Sequence, residues 1–186
     1  ILWLNNDYVV IYDRATSQNT GLFKRFNLNF VTNPAINGNV ATQTLSSGQK
    51  LFVQTLLPTN PTISSTFAAG GLNPIALMEP TQFILTVEDS TKPADTRFLH
   101  VLQGADAGGI MVSAVRVTNT QGTAFDGAAF GNTAGFFPTF TGGVFTTTTF
   151  SVPLSVHNMV ITGLAANTNY TFVATPGINS TLVTVS

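Results

Sequence analysis

The chain has 186 residues, of which only 8% are charged, against about 25% in a typical globular domain. Seven basic and eight acidic residues give a net charge of −1, which excludes the basic surface that nucleic acid or an anionic membrane requires. The sequence contains no cysteine, which excludes disulfides, thiol catalysis and cysteine-based zinc sites.

Short predicted strands separated by turn signals follow one another along the chain. In Arg25–Val31 an apolar residue alternates with a polar one, which is the period-two pattern of a half-buried strand. Asn37-Gly38 and Ser47-Gly48 are dipeptides that tolerate the positive φ of tight turns. The predicted strands are Asp7–Asp13, Arg25–Val31, Asn39–Leu45, Lys50–Leu56, Phe83–Val87, Arg97–Gln103, Ile110–Asn119, Val144–Val152, Ser155–Thr162, Tyr170–Thr175 and Thr181–Val185.

Two segments lack a clear strand pattern. Pro58–Pro80 is rich in proline and is predicted to be mostly loop, while Asp126–Gly143, rich in Gly, Ala and Phe, predicts a long loop or an edge hairpin. No amphipathic stretch is long enough for a helix. The prediction is therefore an all-β, antiparallel β-sandwich with little or no helix, formed by residues 1–186 as a single domain.

The beginning of the chain predicts a fragment of a larger protein. The sequence starts without methionine, and its apolar segment Ile1–Leu4 lacks the basic flank and the cleavage site of a signal peptide. No apolar run reaches the roughly 20 residues of a membrane helix, so no membrane partner is expected. A surface of neutral hydroxyl and amide groups is typical of exported bacterial β-proteins, which predicts a secreted or periplasmic location.

The two histidines are the first candidates for chemistry. His100 lies in the predicted strand Arg97–Gln103, whose two faces are both largely apolar, and this favours a buried histidine with a hydrogen-bond partner. His157 is predicted to be at the surface or half-buried. A zinc site needs three or four ligands in matching geometry, so these two separate histidines predict no metal site.

The carboxylates do not single out an active site. A glycosidase needs two carboxyl groups flanking one bond, and the scattered acidic residues of this chain indicate no such pair. Glu88-Asp89 is interpreted as a strand end entering a solvated turn. Calcium, which takes oxygen ligands from loops, is the alternative there or near Asp106, but no cofactor is expected.

Aromatic residues are the remaining candidates, because sugars stack on exposed rings. Trp and Tyr suit a wet surface, and Trp3, Tyr8 and Tyr12 lie near the N-terminus. Phe136-Phe137-Pro138-Thr139-Phe140 is predicted to be an exposed apolar loop that covers the end of the core or contacts another domain. No catalytic residue is predicted, and the candidate substrate-binding residues are Trp3, Phe136, Phe137 and His100.

An ordered set of segments resembles the heparinase II/III-like polysaccharide lyases. Asp7–Arg14 (DYVVIYDR) resembles that family's strand d-y-v-v-v-x-D-r, and Lys24–Phe30 (KRFNLNF) resembles its next strand. Gly48–Pro58 is similar to its segment g-x-L-x-v-x-t-L-x-P, and Val87–Leu102 to its segment v-e-p … d-x-F-L-h-V-L. Order and spacing agree across residues 7–102, whereas the likeness from Gln103 onward is generic.

The resemblance implies an enzyme with an α/α toroid followed by a large antiparallel β-sandwich. Such enzymes cleave uronic-acid polysaccharides by β-elimination, in which a base removes the C5 proton and an acid protonates the leaving oxygen. The family's catalytic Tyr and His match no position in this chain, and His100 falls on a strand, so no catalytic residue is carried over. The implied partners are an N-terminal catalytic domain of the same protein and an acidic polysaccharide.

Three hypotheses follow for the function. The leading one is a non-catalytic C-terminal β-sandwich of such a lyase, with a structural and docking role and a contribution to polysaccharide binding. The alternative is an autonomous carbohydrate-binding or adhesion module, which requires an exposed aromatic row or a calcium-braced loop. The third is a small enzyme with two carboxyl groups about 5 to 10 Å apart in a cleft.

Overall fold

A computed structural model describes residues 1–68, 81–143 and 145–186. These residues form sixteen β-strands and no helix, which confirms the predicted all-β, sandwich-like fold. Their contacts group into two compact units, Ile1–Met111 and Val112–Ser186. The inclusion of both units in one domain of residues 1–186 stays a prediction.

The first unit contains a six-stranded antiparallel sheet and a three-stranded antiparallel sheet. Their strands are β1 (Leu2–Leu4), β2 (Tyr8–Thr16), β3 (Arg25–Phe30), β4 (Ala35–Asn37), β5 (Val40–Thr44), β6 (Lys50–Leu57), β7 (Pro61–Phe67), β8 (Phe83–Asp89) and β9 (Asp95–Ala105). The larger sheet has the order β1-β2-β9-β6-β5-β4, and the smaller one has the order β3-β8-β7.

The two sheets of this unit pack face to face. Phe30 and Leu85 of the small sheet share a buried core with Ala41 and Val53 of the large sheet, and all four side chains are 1% exposed. Because side chains alternate between the faces of a strand, the clean alternation in β3 sends its apolar residues inward and its polar residues outward. This packing makes the first unit a β-sandwich.

The second unit is built on a seven-stranded sheet with the order β14-β12-β11-β10-β13-β16-β15. All its neighbouring strands are antiparallel except β12 and β14, which run parallel. The strands are β10 (Ala114–Gly122), β11 (Phe125–Phe130), β12 (Thr133–Pro138), β13 (Thr148–Pro153), β14 (Asn158–Ile161), β15 (Phe172–Pro176) and β16 (Ser180–Val185).

Strand β10 connects the two halves of this sheet, which pack against each other around a shared core. Its first half, Ala114–Thr118, pairs with β11, and its second half pairs with β13 after a register shift between Asn119 and Gln121. A bulge of this kind bends a strand and increases its twist. The two halves of the sheet meet through aromatic rings, since the ring centroids of Phe136 and Phe150 lie 4.1 Å apart.

Each of the eleven predicted strands corresponds to a strand of the structure, with boundaries that differ by a few residues. The prediction of mostly loop over Pro58–Pro80 is wrong for Pro61–Phe67, which form β7, and residues 69–80 lie outside the described residues. Proline is tolerated at the first residue of a strand, where Pro61 lies. The remainder of β7 is rich in Thr and Ser, so its apolar alternation is weak.

The prediction of an exposed apolar loop at Phe136–Phe140 is also wrong for its first residues. Phe136 is fully buried and Phe137 is 6% exposed, because β11 and β12 form a hairpin inside the sheet rather than at its edge. A Cβ atom added at Gly127, which lies opposite Phe136, would be 2.5 Å from the Phe136 ring. The glycine therefore leaves room for this ring in the core.

Candidate functional site

His100 is sealed inside the sandwich of the first unit. Its side chain is 0% exposed, and its ring stacks on Phe26 with a centroid distance of 4.0 Å. The Nδ1 atom lies 3.1 Å from the Thr55 hydroxyl, while Nε2 is buried without a hydrogen-bond partner. The predicted burial of His100 is thus confirmed, and this residue offers no surface to a substrate.

Burial lowers the pKa of His100 to about 3, because the charged imidazolium would lose its hydration in this environment. The unfolded chain binds a proton at this residue below about pH 6.5, whereas the folded chain does not until about pH 3. The unfolded state therefore holds more protons over this interval, and the free energy of unfolding falls as the pH is lowered through it.

We expect His100 alone to lower the free energy of unfolding by about 2 kcal/mol between pH 7.5 and pH 5. Urea unfolding at both pH values measures the change, and the double variant His100→Phe/Thr55→Val is the control. This variant removes the titrating ring together with the hydroxyl it would leave unpaired. A loss of the same size in the wild type and in the variant would contradict the assignment.

Trp3 is the most exposed large aromatic residue of the first unit, with 76% of its surface accessible. It lies opposite Val9 in the β1–β2 ladder, whereas Tyr8 lies opposite Leu4. Since neighbouring residues of a strand point to opposite faces, Trp3 and Tyr8 lie on different sides of the sheet. Tyr12 shares the face of Tyr8, so the three N-terminal aromatic residues do not form one platform.

A polar groove lies next to the turn that joins β1 and β2. It has a volume of about 360 Å³ and is lined by Asp7, Gln49, Lys50, Gly104, Ala105 and Asp106. The Gly104 N–H donates to the Asp7 carbonyl at 2.9 Å, which holds the turn against the end of β9. Sequence reasoning did not find this groove, because it joins residues from three separate turns and strand ends.

Two ion pairs hold the other notable carboxylates. Glu88 accepts a hydrogen bond from Arg25 on the outer face of the three-stranded sheet, where both side chains are partly exposed. Asp126 is 1% exposed and accepts from Arg116 Nη2 at 2.7 Å and from its Nε at 3.2 Å. Both carboxylates therefore serve structural contacts.

His157 lies at the surface of the second unit, in the loop just before β14, rather than within a strand. It lines an apolar groove of about 380 Å³ together with Leu154, Met159 and Pro176. The predicted surface position is confirmed.

Strand β15, which contributes Pro176 to this groove, is the last strand of the seven-stranded sheet. All five of its residues are exposed, with Phe172 at 48% and Val173 at 51%.

The turn after β8 follows the sequence prediction. Asp89 ends the strand, and its Oδ1 atom accepts from the Thr91 backbone N–H at 2.9 Å and from the Thr91 hydroxyl at 2.7 Å. Calcium at this turn or near Asp106 stays a prediction. Within residues 1–68, 81–143 and 145–186, no three His, Asp or Glu side chains gather in a way that would hold a metal ion.

The part of the chain that the structure describes contains no helix long and apolar enough to cross a membrane. Comparison with protein-family models and with curated protein sequences found no match. The resemblance of residues 7–102 to the heparinase II/III-like lyases therefore stays a prediction from the sequence.

Proposed function

We propose that this chain is the non-catalytic C-terminal β-sandwich of a heparinase II/III-like polysaccharide lyase that is secreted or periplasmic. Its role is structural, and it docks onto the N-terminal catalytic domain of the same protein. The burial of His100 is the observation that carries this proposal. A general base must reach the proton it removes, and a ring that is 0% exposed and neutral at pH 7 holds the sheets together instead.

The segments that resemble the lyase family support this assignment through their positions. They fall on β2, β3, β6 and β9, which belong to the two facing sheets of the first unit. His100 lies at the centre of this layer, opposite Ile11 on one side and Thr55 on the other. The segments that carry the resemblance therefore contribute strands to both packed sheets of the sandwich.

Strand β15 is the surface we assign to docking. Its outer edge has no neighbour among the described strands, and its exposed residues are all uncharged. Residues 112–186 carry only one basic and one acidic residue, Arg116 and Asp126, which pair with each other. A surface without free charge suits a contact that is made by apolar side chains and strand-edge hydrogen bonds.

The docking role is tested by mixing this chain with the separately produced catalytic domain and measuring association by analytical ultracentrifugation. We expect a complex, and we expect Phe172→Ser/Val173→Ser to weaken it by about tenfold or more. The matched control is Ile110→Ser, which changes an apolar residue that is 82% exposed in the first unit. Equal loss with both variants, or no complex with the wild-type chain, would contradict the proposed docking surface.

A further inference from the structure

The indole of Trp3 is exposed and yet fixed in position. Its Nε1–H donates to the Asn6 carbonyl at 2.8 Å. Asn5 and Asn6 both have positive φ, at 53° and 64°, and this turn brings the carbonyl back towards β1. A large side chain that is held by its own turn loses little further freedom when a ligand contacts it.

The fixed indole lies beside the polar groove described above, through the turn that both share. The carbonyl that accepts its hydrogen bond belongs to Asn6, and the next residue, Asp7, lines the groove. Asp7 is the last residue of this turn, and its carbonyl accepts from the Gly104 N–H of β9 at 2.9 Å. The indole and the groove are therefore adjacent at the β1–β2 turn.

The groove offers hydrogen-bonding groups to a ligand. The side chains of Asp7 and Asp106 supply carboxylate acceptors, and Gln49 supplies an amide whose oxygen accepts from the Ser47 hydroxyl at 3.1 Å. A Cβ atom added at Gly104 would have its nearest neighbour, the Asp7 carbonyl oxygen, at 3.9 Å, so the floor is open. Acceptors beside an aromatic face match a ligand with many hydroxyl groups.

The charge of the groove selects against acidic ligands. Two carboxylates face one ammonium group, and the Lys50 ammonium donates to the Gly109 carbonyl at 3.1 Å. The negative charge of Asp7 also acts on its neighbour, because it adds to the effect of burial in raising the pKa of Tyr8. A uronate would be repelled here, whereas an uncharged sugar would not.

We propose that Trp3 and the groove lined by Asp7, Gln49, Gly104 and Asp106 bind an uncharged sugar unit of a polysaccharide. The sugar ring stacks on the indole, and its hydroxyl groups donate to the two carboxylates. The acidic units of a uronate polymer would bind to other parts of the proposed lyase. Binding at this site requires neither catalysis nor the catalytic domain.

The test uses the fluorescence of Trp3, which is the only tryptophan of the chain. Short oligosaccharides of glucose, mannose, xylose and galactose are titrated to about 10 mM, with oligogalacturonate of matched length for comparison. We expect a saturable change with at least one uncharged oligosaccharide, and binding of oligogalacturonate that is weaker by about fivefold or more at low salt. No saturable change with any uncharged sugar, or equal affinity for oligogalacturonate, would overturn the proposal.

Variants measured by calorimetry locate the site. Trp3→Ala is expected to weaken binding by about tenfold or more, and Gly104→Val, which fills the floor without removing a polar group, is expected to weaken it as well. Phe172→Ala, an exposed aromatic residue of the second unit, is the control and should bind like the wild type. The double variant Asp7→Asn/Asp106→Asn should reduce the difference in affinity between the uncharged oligosaccharide and oligogalacturonate, because it removes both negative charges. Wild-type affinity in both Trp3→Ala and Gly104→Val would place the ligand elsewhere and overturn the assignment.

The outcome is separate from that of the proposed function. The isolated chain can bind an uncharged sugar whether or not its parent is a lyase, and the parent can be a lyase whose sandwich binds no sugar. Sugar binding without docking to the catalytic domain would favour an autonomous carbohydrate-binding module. Docking without sugar binding would support the structural role and overturn the sugar site.

Discussion

Replacing Phe136 with alanine is expected to lower the free energy of unfolding by about 3–5 kcal/mol. The side chain is fully buried, stacks 4.1 Å from the centroid of Phe150 and fills the space left by Gly127. Its removal loses the transfer free energy of the ring and leaves a cavity that the neighbouring strands β11 and β13 can close only in part. Guanidinium unfolding, followed by circular dichroism, measures the shift in midpoint.

The control is Phe172→Ala, which removes the same ring from a position that is 48% exposed. A change within about 0.5 kcal/mol is expected there. The comparison also distinguishes the buried hairpin from the exposed loop that the sequence predicts at residues 136–140. A phenylalanine in an exposed loop could be replaced with a similarly small loss in the free energy of unfolding. Equal effects of the two variants would therefore contradict the buried hairpin.

Replacing Asp126 with alanine is expected to lower the free energy of unfolding by about 3 kcal/mol. The carboxylate is 1% exposed and holds the Arg116 guanidinium through two hydrogen bonds. Without it, a guanidinium that is only 28% exposed keeps its charge and loses its partner. Urea unfolding of the variant and the wild type at the same pH gives the difference.

Glu88→Ala is the matched control, because it breaks the ion pair with Arg25 at the surface. The Arg25 side chain is 48% exposed there and can regain water, so a loss below about 1 kcal/mol is expected. If both variants lost the same free energy, burial would not be what makes the Arg116–Asp126 pair strong.

The strands with one buried face were predictable from the sequence. In β3 the alternation of Phe, Leu and Asn determines which side chains enter the core, and the structure places Phe30 at 1% exposure. Residues 126–143, for which the sequence predicts a long loop or an edge hairpin, contain most of the hairpin of β11 and β12, which lies inside the sheet with nearly every residue buried. A strand buried on both faces has no alternation, and their Gly and Ala residues look like those of a loop.

The candidate site was predictable only in part. The apolar residues on both sides of His100 indicated its burial, but nothing near it in the sequence identified Thr55 as the partner of its Nδ1 atom, 45 positions away. Trp3 was recognisable from its chemistry as a candidate for stacking on a sugar. The groove beside it depends on the pairing of β2 with β9, which brings Asp7 to Gly104, and that register is set by tertiary packing.

A lyase assay tests whether this chain is a non-catalytic part of a larger enzyme. The isolated chain and its full-length parent are incubated with a panel of uronic-acid polysaccharides, and the absorbance of the unsaturated uronic product is followed. Product is expected with the parent and none with the isolated chain, since His100 is sealed in the core and the lyase family's catalytic Tyr and His match no position in this chain. Product formed by the isolated chain would contradict it.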